Sequence, residues 1–326
     1  MTDIKQKITI AVVGDIHDLW DSEDEVALKH LGVDLVLFVG DFGNEAVEVV
    51  RQIAAIDLPL ATIMGNHDAW YTASYWGQKQ APYDRTKEDR VQQQLDLLGE
   101  THVGFAKLDF PQFNLSVVGS RPFSWGGKVW RNENFYRDRY NVNNFAESTT
   151  RIVTAAKNTA HDTIIFIGHN GPTGLGDRPE DTCGKDWKSP GGDYGDPDFA
   201  EAIDKVRTLG KSIPLVTFGH MHHRLRHRKD RLRTIVNTSP EGTIYLNSAC
   251  VPRIKTEKEK LERNFSLVSL DRGKVMQVSL VWLQHNGEIV SNKILYDRQN
   301  FISSSFCLKL CRSNSCIGPR FINFFS

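Results

Sequence analysis

Apolar positions along this chain come in short runs that end in the same way. Residues 8–13 (I-T-I-A-V-V) lead into Gly14-Asp15, and residues 35–39 (L-V-L-F-V) lead into Gly40-Asp41. Residues 60–64 (L-A-T-I-M) lead into Gly65-Asn66-His67. Residues 164–167 and 215–218 lead into Gly168-His169 and Gly219-His220. Runs of this length, rich in Val, Ile and Leu and apolar on both faces, predict buried strands. Helical spacing of apolar positions predicts helices near 22–31, 44–56, 86–98, 148–158 and 197–209. Strands alternating with helices imply βαβ units and a mainly parallel sheet. Residues 233–237, 243–247, 265–270 and 275–283 read as strands joined by short turns, which predicts a second sheet with antiparallel pairing. The expected architecture is α/β, with two sheets packed as one sandwich flanked by helices.

No Pro/Gly-rich linker interrupts this pattern, so residues 1–298 are expected to form one domain. Residues 299–326 are different in kind. Ser, Asn, Phe and Cys dominate there, no acidic residue follows Asp297, and neither periodicity nor capping signals are present. This stretch is expected to be a poorly ordered tail. Three of the five cysteines (Cys307, Cys311, Cys316) fall in it, while Cys183 and Cys250 stand apart. An odd, scattered set is not a disulfide framework, and three thiols fall short of the four ligands of a structural zinc site.

Composition narrows the function classes. Hydrophobic residues make up 40% and charged residues 25% of the chain, which is ordinary for a globular protein. Lys plus Arg balance Asp plus Glu at 40 each, so no global charge favours nucleic acid or an anionic membrane. No apolar run approaches the roughly 20 residues of a membrane helix. The polar start, Met1 to Lys7, leaves no room for a secretory or transit peptide, so a cytoplasmic location is expected. A chloroplast location is the alternative if an upstream segment precedes this chain.

Each of the five strands presents a potential metal ligand straight after a glycine. In α/β sheets, ligands bind at the carboxyl ends of strands, so five such loops can converge on one crevice. Gly permits the sharp turn and close approach that this needs. His17 follows Asp15 by two residues and His222 follows His220 by two, so each pair faces one way if the backbone is extended. The donors are then Asp15, His17, Asp41, Asn66, His169, His220 and His222. Seven are too many for one ion but suit two ions that share a carboxylate. Oxygen and imidazole without thiolate fit Mn, Fe or Zn. Two such ions, about 3.5–4 Å apart, can clamp a phosphate and supply a nucleophile for in-line attack. A single Gly-Asp after a strand is commonly a helix cap or turn, and a lone buried His is commonly structural. Five coincident strand ends are hard to explain in those terms.

The blocks G-D-I-H (14–17), G-D (40–41), G-N-H-D (65–68), G-H (168–169) and G-H-M-H (219–222) resemble the calcineurin-like metallophosphoesterase signature, in its usual order. The resemblance runs from about Ile8 to residue 298 and implies a sandwich of two mixed β-sheets flanked by helices. It implies that Asp15, His17, Asp41 and His222 hold one metal, that Asp41, Asn66, His169 and His220 hold the other, and that Asp41 bridges. It also implies that His67 acts on the leaving group, with Asp68 orienting it. Two positions depart from the family pattern. Asp18 stands where Gly is usual, and F-G-N-E (42–45) stands where many members carry a further acidic residue.

The segment 119–127 (G-S-R-P-F-S-W-G-G), with Lys128, Arg131, Arg137 and Arg139, reads as an irregular insertion. It resembles a branch of the family found in cyanobacteria and plants. If it roofs the crevice, Arg121 and Trp125 would contact substrate, which favours a small, nucleotide-like phosphoester (monoester or diester) or a pyrophosphate over a phosphoprotein. The basic run R-L-R-H-R-K-D-R-L-R (224–233) could instead track a nucleic-acid backbone, giving a nuclease, though a solvated hairpin is the plainer reading. A non-catalytic metal-binding scaffold is the third possibility, and the full donor set with His67 argues against it. Oligomeric state is not legible.

Overall fold

The computed structural model describes residues 4–188, 190–257 and 259–300. Most of the expected tail, residues 301–326, therefore lies outside the described residues, as do Cys307, Cys311 and Cys316. In chain order the first half forms β1 (Lys7–Val13), α1 (Ser22–His30), β2 (Leu35–Phe38), α2 (Val47–Ala54) and β3 (Leu60–Thr62). There follow α3 (Tyr75–Gln78), α4 (Arg90–Leu98), β4 (Lys107–Phe110), β5 (Leu115–Gly119), α5 (Glu133–Tyr140) and α6 (Phe145–Lys157). The second half forms β6 (Thr163–Ile167), α7 (Pro197–Thr208), β7 (Ser212–Phe218), β8 (Val236–Thr238) and β9 (Ile244–Asn247). It closes with β10 (Ile254–Glu257), β11 (Lys260–Asp271), β12 (Lys274–Gln284) and β13 (Ile289–Asp297).

Two mixed sheets result. One has the order β13-β12-β11-β1-β2-β3, with β10 on β11, and the other β4-β5-β6-β7-β9-β8. Within the first, β1, β2 and β3 are parallel, and β11 closes the free edge of β1 in antiparallel register from Lys7↔Asp271 to Val12↔Ser266. Within the second, β5, β6, β7 and β9 are parallel.

This corrects the expected partition. The five ligand-bearing strands do not share one sheet; three lie in the first sheet and two in the second. The late strands do not form a sheet of their own either. They complete both sheets, because the open edges of β1 and β7 carry unpaired backbone groups that β11 and β9 satisfy.

Strand alternation builds the layers. Ile8, Ile10, Val12, Leu35 and Leu37 point between the sheets and meet Leu115, Val117, Ile165, Ile167 and Leu215 from the opposite side. Ala11, Val13, Val36 and Phe38 point outward and are covered by Ala27 and Leu28 of α1, Val50 and Ile53 of α2, and Val91 and Leu98 of α4. On the far side, α6 and α7 pack Ile152, Ala156, Phe199, Ala202 and Val206 onto Ile164, Phe166 and Val216. Burial on both faces is what removes polar alternation from these strands. Among the described residues no helix is long and apolar enough to cross a membrane.

The sandwich brings the carboxyl ends of β1, β2, β3, β6 and β7 to one edge. Backbone bonds tie the exit loops to each other: Asp15 N donates to Gly40 O at 3.0 Å, His17 N to Asp41 O at 2.9 Å and Gly219 N to His169 O at 2.8 Å. These bonds lie within each sheet's own loops; across the sheets His220 N donates to Asp15 Oδ2 at 3.0 Å and His169 Nδ1 to the Val39 carbonyl at 2.8 Å, so both sets of loops meet in one floor.

Candidate metal centre

The donors converge through strained backbone. Asp15, His17, Asp41 and His220 all take positive φ, at 52°, 46°, 57° and 64°. That conformation is uncommon for residues other than Gly and persists only where surrounding structure enforces it. The expected extended geometry of the Asp15/His17 and His220/His222 pairs is thus corrected. Each pair turns back on itself in the left-handed region, and His222 N bonds to His220 O at 3.1 Å. Glycine is required where loops cross. A Cβ on Gly65 would stand 2.3 Å from Asp41 Oδ1, and one on Gly219 would stand 2.3 Å from Asp15 Oδ2.

Three overlapping donor groups result, one of them His17, Asp41 and His67, and two of them match the expected ligand sets. Asp15, His17 and His222 offer ligand atoms within 4.8 Å of one another, and so do Asp41, His169 and His220. In the first group, His222 Nε2 lies 3.3 Å from both His17 Nε2 and Asp15 Oδ1. In the second, His169 Nε2 lies 2.9 Å from Asn66 Oδ1 and 3.2 Å from Asp41 Oδ1. His169 Nδ1 is 2.8 Å from the Val39 carbonyl, to which it donates. That bond leaves Nε2 as the ring atom that faces the two oxygens. On the protonated ring Nε2–H donates to them, and a divalent ion bound there would take the place of that proton. The residues fit a pair of divalent ions on this ground, with the mixed O/N chemistry of Mn, Fe or Zn.

The protein groups alone perturb one another strongly. Burial opposes ionisation of Asp41, yet the fields of His169 and His67 outweigh it and hold this carboxyl well below the usual range. His169 is raised to about 9, because attraction to Asp41 overcomes the effect of burial. His220 falls to about 3 through burial and the neighbouring His169. Opposite shifts within one cluster are common at functional sites.

His67 stands beside the donors. Its Nε2 is 3.9 Å from Asp41 Oδ2, and its Nδ1 is 2.6 Å from Asn44 Oδ1. Its ring stacks on Trp70 at 4.5 Å, and Trp70 stacks in turn on Trp125 at 5.3 Å. Asp68 does not orient His67, which corrects the expected role. It is fully buried, and its oxygens accept from the backbone N–H groups of Asp41, Phe42 and Gly65 at 2.9, 2.8 and 2.6 Å. Asp68 thus braces the loops after β2 and β3. The ring is oriented by Asn44 and Trp70, neither of which sequence reasoning singled out. The signal for Asn44 lay in F-G-N-E, where it stands three residues beyond Asp41.

Arg121 also departs from expectation. It is 3% exposed and donates to Asp196 at 2.7 Å and Asp198 at 2.9 Å. A guanidinium whose fork is filled by two buried carboxylates binds no substrate. Trp125 does reach the rim of the centre through Trp70. Arg137 and Arg139 pair with Asp138 and Asp89, away from the donors. The insertion is also more regular than expected, since residues 133–140 form α5.

The basic run is placed differently again. Arg224 and Arg226 line a cleft of about 130 Å³ together with Asp41, His67, His220 and His222. Asp186, Trp187, Met221 and Arg233 complete its wall. Most of the rest of the run is neutralised internally: Arg228 pairs with Glu180 and Asp230, Arg231 with Asp230, and Arg233 with Asp186.

A family model described as calcineurin-like phosphoesterase matches residues 8–224. No curated protein matches the chain in sequence. Among solved structures, a dimetal phosphatase from Danio rerio is 12% identical, covering 89% of this chain and 99% of its own, with a TM-score of 0.46. The purple acid phosphatase PPD1 from yellow lupin (Lupinus luteus) seeds is 13% identical, covering 91% of this chain and 55% of its own, with a TM-score of 0.40. A hypothetical protein from Thermus thermophilus is 12% identical, covering 85% and 99%, with a TM-score of 0.42.

Proposed function

Because the chain belongs to the calcineurin-like phosphoesterase family, whose members are metal-dependent hydrolases of phosphate esters, we propose that it cleaves small, nucleotide-like phosphoesters at a two-metal centre. Asp15, His17, Asp41 and His222 would hold one ion. Asp41, Asn66, His169 and His220 would hold the other, with Asp41 shared. Two such ions supply Lewis acidity toward a phosphoryl group and lower the pKa of a water molecule.

The observation that carries this reading is the pair of donor groups, each within 4.8 Å, drawn from four strand-end loops of two sheets. The chain's own residues do the rest. Asp68 and the inter-loop backbone bonds hold the donors in place, so little reorganisation is needed when charge develops. His67 donates a proton from Nε2 to the leaving oxygen while its Nδ1–H stays bonded to Asn44. The Trp70–Trp125 stack walls one side of the centre, which favours a planar leaving group such as a nucleoside.

The test is hydrolysis of p-nitrophenyl phosphate and bis-p-nitrophenyl phosphate by purified protein, with metal content measured on the same sample. Turnover should need Mn²⁺, vanish with chelator and return on reloading. A protein that binds Mn, Fe or Zn stoichiometrically yet turns over neither ester would be a scaffold, and the reading would be wrong.

A further inference from the structure

We propose that Arg224 and Arg226 clamp a second phosphate of the substrate, so that the preferred substrates carry two adjacent phosphate groups. This rests on the functional reading above and names the substrate class for the same site.

Both arginines are exposed, and neither pairs with a carboxylate among the described residues. Exposed, unpaired arginines are ordinary on a protein surface. Their placement here is not. They sit two residues apart on one arm of a hairpin joined by the Arg224↔Leu232 bridge, with Leu225 between them buried. Both line the cleft that holds Asp41, His67 and His222.

The hairpin is held in place. Asp186 accepts from Arg226 N at 2.8 Å, and Arg233 donates to the carbonyls of Pro179, Asp181 and Gly184 at 3.0, 2.9 and 2.5 Å. The Arg226 guanidinium lies 5.8 Å from the Trp187 ring centre, a cation–π contact that limits its freedom before any anion arrives.

Charge decides the class of ligand. Two divalent ions held by the donor groups of Asp15 and Asp41 would match one phosphoryl group. Two more guanidinium forks in the same cleft match a further dianion next to it, in the bidentate geometry that Arg offers phosphate. An extended polyanion fits less well, because the salt bridges to Glu180, Asp186 and Asp230 neutralise Arg228, Arg231 and Arg233.

The experiment compares p-nitrophenyl phosphate, AMP, ADP and a single-stranded RNA oligonucleotide as substrates of the Mn²⁺-loaded protein. It uses wild type, Arg224→Ala/Arg226→Ala and Arg224→Lys/Arg226→Lys. In parallel, methylenediphosphonate and methylphosphonate binding are measured by calorimetry. Wild type should prefer ADP to AMP. The alanine pair should lose about 10–100-fold in kcat/KM on ADP, mainly through KM, and several-fold less on the monophosphates. Methylenediphosphonate should weaken by a similar factor and methylphosphonate by less, and the lysine pair should recover part of each loss. Equal losses on mono- and diphosphates, or RNA as the best substrate with the loss confined to it, would overturn the clamp. If wild type turned over nothing while the diphosphonate still depended on the two arginines, the hydrolase reading would fail and the clamp would stand.

Discussion

Asn44 Oδ1 accepts from His67 Nδ1 across 2.6 Å, linking the loop after β2 to the loop after β3. The Trp70 ring lies almost parallel to the imidazole, at 15°. The hydrogen bond sets rotation of the ring in its plane, and the stack sets its tilt. Nε2 is left as the atom that faces the cleft. Asn44→Ala should therefore lower kcat about tenfold, the worth of one hydrogen bond of about 1–1.5 kcal/mol, with metal content unchanged. His67→Ala should lose about 10²–10⁴-fold. The measurement is kcat on aryl phosphates with leaving groups of different pKa. Proton donation requires both deficits to widen as the leaving group becomes more basic, so a flat dependence would refute it.

Asp41 is the residue that both donor groups share in the proposed assignment, and His67 N and His169 Nε2 both approach its Oδ1, at 2.8 and 3.2 Å. Asp41→Ala should remove at least one ion and nearly all turnover. Asp41→Asn keeps the shape but not the charge, and should retain more of the fold than of the metal. Elemental analysis of both variants beside wild type reads this directly. Two ions bound to Asp41→Ala with wild-type affinity would show that the carboxylate is not shared.

How far the chain could be read depended on whether its physics is local. Five of the donor residues were legible because a glycine precedes each of them where any Cβ would stand under 3 Å from a neighbouring atom, and that need leaves a mark in sequence. The division of strands between sheets left none. Leu35–Phe38 and Leu215–Phe218 are buried on both faces, and nothing in such a run says which sheet it joins. Asn44 was passed over because its meaning lies in a contact with a residue 23 positions away. Arg121 was misread because an arginine among Pro, Phe, Trp and Gly looks like a surface-loop residue until Asp196 and Asp198, 75 and 77 residues on, fill its fork. Residues 133–140 looked irregular because E-N-F-Y-R-D-R-Y buries only Phe135 and Tyr136.

His102 offers a pH test of packing that is separate from the metal centre. Burial pushes its imidazole down to about 4, and its Nε2 has no hydrogen-bond partner among the described residues. The unfolded chain, with a His pKa near 6.5, binds this proton more readily than the folded one. Stability from this residue is therefore full above about pH 6.5 and is lost as pH falls toward 4, by up to about 3 kcal/mol. Denaturant midpoints between pH 7 and 4.5 should fall less steeply for His102→Gln than for wild type. Parallel slopes would mean that the unprotonated ring is not what the fold requires.

Arg121 makes the last prediction, and it separates two roles that sequence alone confounded. Its guanidinium bonds to Asp196 and Asp198, which sit at the start of α7, and packs against the rings of Trp130, Tyr136 and Phe145 at 5.1, 5.6 and 5.4 Å. Ser124 donates to Asp196 and Ser148 to Asp198, so one buried cluster joins the 120s loop, α6 and α7. Removing the cation strands two carboxylates that are fully buried. Breaking such a cluster from one side destabilises by about 3–5 kcal/mol, because the remaining charge is uncompensated. Arg121→Ala should therefore show that loss in urea unfolding. Arg121→Lys should recover only part of it, since one ammonium cannot reproduce two divergent bonds. A substrate-binding arginine would behave oppositely, with unfolding unchanged and KM raised. Measuring both quantities on the alanine variant distinguishes the two: a wild-type urea midpoint with a roughly tenfold higher KM would return Arg121 to the substrate.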